Sequence, residues 1–249
     1  MTEDQMKEEV KKALELTFRI YKDYQLEIDH IELSTRPEKS IGDDKQWELA
    51  EKILEEVLIE SKIDYKVNPG DGAFYGPKID FHLNDSIGKT WQCGTIQLDF
   101  AQPENFNLEY VDEEGVKRRP VMIHRTIYGG IERFIGIMIE NFAGKFPLWL
   151  NPVQIKMIPI APKHNIYAQE VAKRLKDEEL RVEVDDKDDR MGSKIRTAQM
   201  EKINYMLIIG DKEMEVGGVA VRNRNQQDLG LMKVEEFIAN AKKEVENKE

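Results

Sequence analysis

Near Asn151-Pro152 the periodicity of this sequence changes, and the two sides call for different architectures. Downstream, short apolar runs at 154–160, 181–184, 205–209 and 218–223 have the length of strands, while 164–176, 193–202 and 234–246 carry helical spacing. Strands alternating with helices over short connections predict an α/β domain with a mainly parallel, mixed sheet. Upstream, Met6, Val10, Leu14 and Phe18 recur at helical intervals, and Thr2-Glu3-Asp4-Gln5 before them reads as a capping box. A strand is expected at 26–34. A second helix should open at Asp43 or Asp44 and bury Trp47, Ala50, Leu54 and Val57. Residues 78–84 and 90–100 alternate as strands around a turn at 85–88, after a loop at 68–72. Another strand fits 122–126, and Gly129-Gly130 then turns the chain into a helix carrying Ile131, Phe134, Ile135 and Met138. Gly144-Lys145-Phe146-Pro147 ends that helix. The expected organisation is therefore an α+β half-domain with an antiparallel sheet over 1–147 and an α/β domain over 148–249, with Asn151-Pro152 as a linker.

Composition narrows the class. With 40% hydrophobic and 34% charged residues, the chain has the makeup of a globular protein. No run of about 18 apolar residues exists to span a membrane. No apolar stretch follows the acidic start in the manner of a secretory signal. One cysteine, Cys93, excludes an internal disulfide and suits a reducing cytoplasm. The net charge of −11 argues against indiscriminate nucleic-acid binding, but it is unevenly spread. Residues 150–249 hold 18 basic against 19 acidic side chains, and residues 1–149 hold 19 against 29. The downstream part is free to present a local basic face to RNA, and the upstream part cannot do so broadly.

Four segments place residues in ways a plain core does not need. The loop Leu33-Ser34-Thr35-Arg36-Pro37-Glu38-Lys39-Ser40-Ile41-Gly42 follows a strand directly, although its composition alone reads as a solvated turn. In Gly72-Ala73-Phe74-Tyr75-Gly76-Pro77-Lys78 two glycines allow close backbone approach. Tyr75 and Lys78 then serve either a ligand or an ordinary turn. In Trp91-Gln92-Cys93-Gly94-Thr95-Ile96-Gln97, strand alternation puts Cys93, Thr95 and Gln97 on one face, suited to hydrogen-bonding a small polar ligand or to facing solvent. In the fourth, His124 sits on a strand and Arg133 in the first turn of the next helix. A cation there opposes the helix dipole, which makes sense if Arg133 meets a polyphosphate. His124 alone is more often a structural group than a ligand. His30, His82 and His164 show no spacing typical of a metal site.

Together the stretches LSTRPEKSIG (33–42), GAFYGPKIDF (72–81), QCGTIQLDF (92–100) and MIHRTIYGGIERFIGI (122–137) resemble the threonyl-tRNA synthetase family, and the last resembles class II motif 3. The likeness continues through YMLIIGDKEMEVGGVAVRNR (205–224) and covers essentially the whole chain. It implies the C-terminal part of a class II catalytic domain followed by an anticodon-binding domain. The activity implied is ATP-dependent activation of threonine, with Mg2+, and its transfer to tRNA(Thr) by a cytoplasmic homodimer. The resemblance implies catalytic roles for Arg133, Gln92 and Lys78, and ATP contacts from Gln92, Thr95 and Arg133. It places threonine among Tyr75, Cys93, Thr95 and Gln97. It makes His124 one of three protein ligands of a Zn2+ ion, and gives the anticodon contacts to Arg190, Arg196, Glu213 and Arg222. A zinc with three protein ligands keeps a position open for substrate. Valine, lacking the hydroxyl, is then rejected strongly, and serine only weakly.

Several family parts are not recognisable in these residues. The other two zinc ligands are expected upstream of residue 1, as are motif 1, motif 2 and the editing domain. Met1–Gln5 resembles the family just after motif 2, and Gly130 stands where the family commonly has serine. The expectation is a truncated synthetase chain, inactive alone, whose first half exposes sheet edges and apolar surface and is prone to aggregate. The alternatives are a non-catalytic tRNA-binding module, in which only 152–249 matter, and, more remotely, an unrelated zinc enzyme using His124.

Overall fold

The computed structural model describes residues 1–2 and 5–248. Glu3 and Asp4 of the expected capping box lie outside the described residues. What is seen there is the Thr2 amide donating to Gln5 Oε1 at 3.0 Å, just ahead of the first helix. The chain divides into two units, Met1–Asn141 and Phe142–Glu249.

The first unit contains α1 (Met6–Asp23), β1 (Ile28–Ser34), α2 (Asp44–Glu60), β2 (Lys66–Asn68), β3 (Lys78–Asn84), β4 (Thr90–Asp99), α3 (Ala101–Asn105), a small β5 (Tyr110–Val111) and β6 (Lys117–Arg118) hairpin, β7 (Met122–Thr126) and α4 (Ile131–Asn141). Its sheet runs β2-β1-β3-β4-β7, antiparallel except for the β2–β1 pair. Alternation gives the sheet two unlike faces. Ile79, Phe81, Leu83, Ile96 and Leu98 are wholly buried. Phe18 and Tyr21 of α1 meet the Phe81 ring edge-on, and the Tyr21 hydroxyl donates to the Ile127 carbonyl at 2.6 Å. The other face carries Ser34, Lys78, Asp80, Thr95 and Gln97, and it becomes the candidate site.

Helix α2 starts where its residues dictate. The Asp43 carboxylate accepts from the Gln46 amide at 2.8 Å, and Gln46 Oε1 accepts from the Asp43 amide at 3.2 Å. This reciprocal cap closes two of the donors that a helix start leaves open. Asp43→Ala is expected to destabilise the first unit by about 1 kcal/mol, read from urea unfolding. Helix α4 buries Phe134, Ile137 and Met138 and leaves Ile131, Ile135 and Ile139 about half exposed.

The second unit contains β8 (Ile155–Pro159), a short 3-10 turn (Pro162–His164), α5 (Asn165–Asp177), β9 (Val182–Val184), α6 (Met191–Met200), β10 (Tyr205–Ile209), α7 (Asp211–Val216), β11 (Gly218–Asn223), β12 (Asp228–Lys233) and α8 (Val234–Asn247). The sheet order is β12-β11-β10-β8-β9. It is mixed, with the parallel pairs confined to β10–β8–β9 and the β10–β11–β12 pairs antiparallel. Residues of α5 and α8 pack one face with Ile155, Met157, Leu207 and Val219. Ile195 and Ala198 of α6 pack the other with Ile158, Ile203 and Met206.

Two elements of this unit, α7 and β12, were not expected. Every residue of β12 except Met232 is exposed, so no apolar alternation marks it. Asn151 is not a linker residue. It is 6% exposed, and its Nδ2 donates to Asn204 Oδ1 at 2.7 Å and to the Lys202 carbonyl at 3.2 Å. Asn204 and Arg224 in turn both donate to the Phe146 carbonyl, so the segment at 146–151 is fastened to the second unit. The units accordingly part at Asn141/Phe142, six residues before the expected 147/148.

Candidate functional site

On the polar face of the first sheet, Asp80 is the organising residue. It is 1% exposed. Its Oδ1 accepts from Gln92 Nε2 at 2.6 Å and from Thr95 Oγ1 at 2.8 Å, and its Oδ2 accepts from Ser34 Oγ at 3.0 Å and from Lys78 Nζ. Lys78 also reaches Asp71 at 3.1 Å. Burial pulls the Lys78 ammonium down, but the hydrogen bonds to Asp80 and Asp71 prevail and hold its pKa above the ordinary lysine value. A carboxylate so shielded is tolerable only because each oxygen is paired. The result is a fixed row of three side chains, Lys78, Gln92 and Thr95, whose positions are set by one anion.

Beside this row, Gln97 Nε2 donates to the Gly76 carbonyl at 3.1 Å, which pins the Gly72–Lys78 loop to β4. Gly76 itself has no room for a side chain: a Cβ would lie 1.8 Å from the Leu98 carbonyl oxygen. Tyr75 on the same loop meets the His124 ring edge-on at 5.6 Å. His124 lies directly across from Gln97 in the β4–β7 register, so the two share a face. Its Nε2 is 2.7 Å from Oδ2 of the fully buried Asp99, whose Oδ1 accepts from the Ala101 and Gln102 amides at the start of α3.

At the other end of β4, Arg133 donates to the Gln92 carbonyl at 2.6 Å and stacks over the Trp91 ring at 5.5 Å. Gly129 makes this approach feasible. It has φ of +63°, and a Cβ there would lie 2.7 Å from the Cys93 carbonyl oxygen and 3.2 Å from the Arg133 guanidinium. Gln92 and Arg133 are exposed and His124 is 40% exposed, so the residues line an open face instead of a closed hollow.

The expected shared face of Cys93, Thr95 and Gln97 needs correction. A bulge interrupts β4: Gly94 pairs with Phe81 and Gln92 with His82, leaving Cys93 as the extra residue. Thr95, Gln97 and Gln92 therefore align. Cys93 is displaced from the row and 2% exposed, and burial pushes its thiol pKa up while Arg133 partly offsets it. Sequence reasoning also missed Asp80, Asp99, Ser34 and Asp71. The one available signal was the polar series Lys78, Asp80, His82 at alternate positions of β3. Arg36, in the first singled-out loop, is occupied internally, bonding Ser40 and Asp44 and lying over Trp47.

In the second unit, Arg190 precedes α6 and Arg196 lies on it, both exposed and both with a guanidinium that has no protein partner among the described residues. Arg222 on β11 pairs in register with Met206, which faces α6. Its Nε is shielded from water and has no hydrogen-bond partner. Glu213 is committed: its Oε2 accepts from the Gly210 amide at 2.9 Å, at the start of α7.

Two family models match the chain. Residues 1–142 match the tRNA synthetase class II core domain (G, H, P, S and T), and residues 154–244 match an anticodon binding domain. The chain belongs to the class II tRNA synthetase core family. Similar curated proteins are threonine–tRNA ligases. That of Desulforamulus reducens is 55% identical over 248 residues, covering 100% of this chain and 39% of the relative. That of Caldanaerobacter subterraneus subsp. tengcongensis is 54% identical, covering 100% and 38%. The chain thus spans about two fifths of the length of the curated relatives it matches. A crystal structure of the RNA binding domain of threonyl-tRNA synthetase from Cryptosporidium parvum Iowa II superposes with a TM-score of 0.91 at 40% identity, covering 98% of this chain and 61% of that one. A putative threonyl-tRNA synthetase from Aeropyrum pernix gives 0.76 at 27%, covering 100% and 62%. The resemblance to threonyl-tRNA synthetases read from four sequence segments thus extends over the whole chain. No helix among the described residues is long and apolar enough to cross a membrane.

Proposed function

We propose that this chain supplies part of the activation site and the anticodon reader of a threonine–tRNA ligase, acting within a longer chain. That enzyme activates threonine with ATP and Mg2+, passes it to tRNA(Thr), and works as a cytoplasmic homodimer. The observation that carries the reading is the convergence on one open face of Lys78, Gln92 and Thr95, all fixed by Asp80, with Gln97, Tyr75 and His124 beside them.

In this reading Arg133 stabilises the ATP phosphates, and its planar fork suits a phosphate oxygen pair. Gln92 and Thr95 meet the nucleotide. Lys78 brings a fixed positive charge to the anionic transition state, and because Asp80 already holds it in place, little reorganisation is needed. Tyr75, Thr95 and Gln97 border the threonyl group, with Cys93 behind them. The zinc expected at His124 does not fit the donors present. His124 Nε2 faces Asp99, and among the described residues no three-donor group of His, Cys, Asp and Glu includes His124. A zinc there requires donors from elsewhere in the longer chain.

For the second unit, Arg190, Arg196 and Arg222 offer unpaired guanidinium groups to splayed anticodon bases, and Glu213 supplies an acceptor at the start of α7. A buried donor without a partner, such as Arg222 Nε, calls for one. The test is fluorescence anisotropy of the chain with a tRNA(Thr) anticodon stem–loop. Arg222→Ala is expected to weaken binding about tenfold, equivalent to ~1.4 kcal/mol. Equal affinity for a stem–loop with a scrambled anticodon would overturn the assignment. In parallel, the chain alone should show no threonine-dependent ATP–pyrophosphate exchange, and robust exchange would refute the requirement for further residues.

A further inference from the structure

The face that carries the Asp80 row continues along β1 and β3 into a second cluster that the synthetase reading does not use. His30 lies directly across from His82, and Glu32 across from Asp80. Two histidines far apart in sequence, which show no ligand spacing there, are thereby brought together by strand pairing. Their rings stack with centroids 4.2 Å apart and planes 12° from parallel. His30 Nε2 is 3.2 Å from Glu32 Oε1, and His82 Nε2 is 3.5 Å from Glu32 Oε2. One donor atom from each of the three residues lies within 4.8 Å of the other two.

Those distances are informative. A tetrahedral zinc with bonds of about 2.0–2.1 Å places neighbouring donors ~3.4 Å apart. Each imidazole nitrogen already stands at about that spacing from a Glu32 oxygen, His30 from Oε1 and His82 from Oε2. His30 Nδ1 sits 2.6 Å from Asp29 Oδ2, a carboxylate able to accept a proton from that nitrogen. With that tautomer, Nε2 presents its lone pair to Glu32 Oε1, 3.2 Å away, and a metal ion between them would satisfy both. His82 Nε2 is shielded from water and has no hydrogen-bond partner. Around the three donors the supporting bonds are in place: Asp29 behind His30, and Asn68 Nδ2 donating to Glu32 Oε2 at 2.9 Å. A carboxylate behind a ligating imidazole and a hydrogen bond on the ligating carboxylate are the usual outer supports of a metal site.

We propose that His30, Glu32 and His82 form a site for a divalent transition metal of the zinc type, with one position left for water or a substrate oxygen. The set of two imidazoles and one carboxylate is a donor combination suited to Zn2+. The site is separate from His124 and stands independently of the assigned activity.

The test is a titration of the chelator-stripped chain with Co2+, followed by displacement with Zn2+. The expected result is one equivalent bound with visible tetrahedral absorption bands that Zn2+ abolishes. His30→Ala and His82→Ala should each remove the bands, His124→Ala should retain them, and Asp29→Asn should weaken binding about 10- to 100-fold. Absence of tetrahedral bands from the unmodified chain, which needs no variant, overturns the proposal. Bands that survive His82→Ala but vanish with His124→Ala also overturn it, by moving the metal to the other histidine. Should His82→Ala fail to fold by circular dichroism, His82→Gln replaces it, and retained bands in that variant count equally against the site.

Discussion

Asp80→Ala is expected to destabilise the first unit by about 3–5 kcal/mol, the range typical of breaking a buried ion pair from one side. The substitution leaves the Lys78 ammonium, 14% exposed, without its closest counter-ion, and only Asp71 remains within reach. Gln92, Thr95 and Ser34 lose their common acceptor in the same step. Asp80→Asn separates the two contributions, because the amide oxygen still accepts hydrogen bonds while the charge is gone. Urea unfolding followed by tryptophan fluorescence reads the effect, since Trp47 and Trp91 report on the first unit and Trp149 on the second. A loss below about 1 kcal/mol in Asp80→Ala would mean that solvent and Asp71 already satisfy Lys78, leaving Asp80 no organising role.

Gly76→Ala should be at least as damaging, for a different reason. The new Cβ would sit 1.8 Å from the Leu98 carbonyl oxygen and 3.0 Å from its carbonyl carbon, both backbone atoms of a paired strand. The loop must move away from β4, and the Gly76 carbonyl that accepts from Gln97 moves with it. The expected destabilisation exceeds ~4 kcal/mol, in the class reserved for backbone clashes and broken buried networks. Gly130→Ala is the control, since a Cβ there meets nothing within 4 Å. Comparable melting temperatures for the two variants would contradict the close approach described for Gly76.

Much of this architecture was legible because its elements carry strong local signals. β3 shows the clearest: Ile79, Phe81 and Leu83 point one way and Lys78, Asp80 and His82 the other. Helix α2 announces itself through Asp43 and Gln46. What escaped notice depends on partners distant in the chain. Asn151 looked like a spacer because nothing in its neighbours reveals Asn204, which it bonds across the second unit. β12 is an edge strand held by backbone pairing to β11, with side chains that record almost nothing of that role. Of the site, Lys78, Thr95, Gln97 and Arg133 stand out by residue type and position, and Gln92 only through the family resemblance. Asp80 was not, because a carboxylate between Ile79 and Phe81 reads as an outward-facing polar residue until its four donors are seen. The metal-like grouping of His30 with His82 is invisible before the register of β1 and β3 is known.

The bulge at Cys93 has a consequence for how this protein can vary. Were Cys93 paired with His82 instead of left out, continuous pairing from Gly94 would set Gln92 opposite Leu83 and turn its amide into the greasy side of the sheet. The side that Gln92 faces thus depends on Cys93 staying out of the ladder. An added residue there must be absorbed by a larger bulge or a shifted register, whereas the solvent-exposed bend at 86–88 is free to lengthen or shorten. Tolerance to added residues along this hairpin should therefore be lopsided, generous at its tip and low a few residues further on.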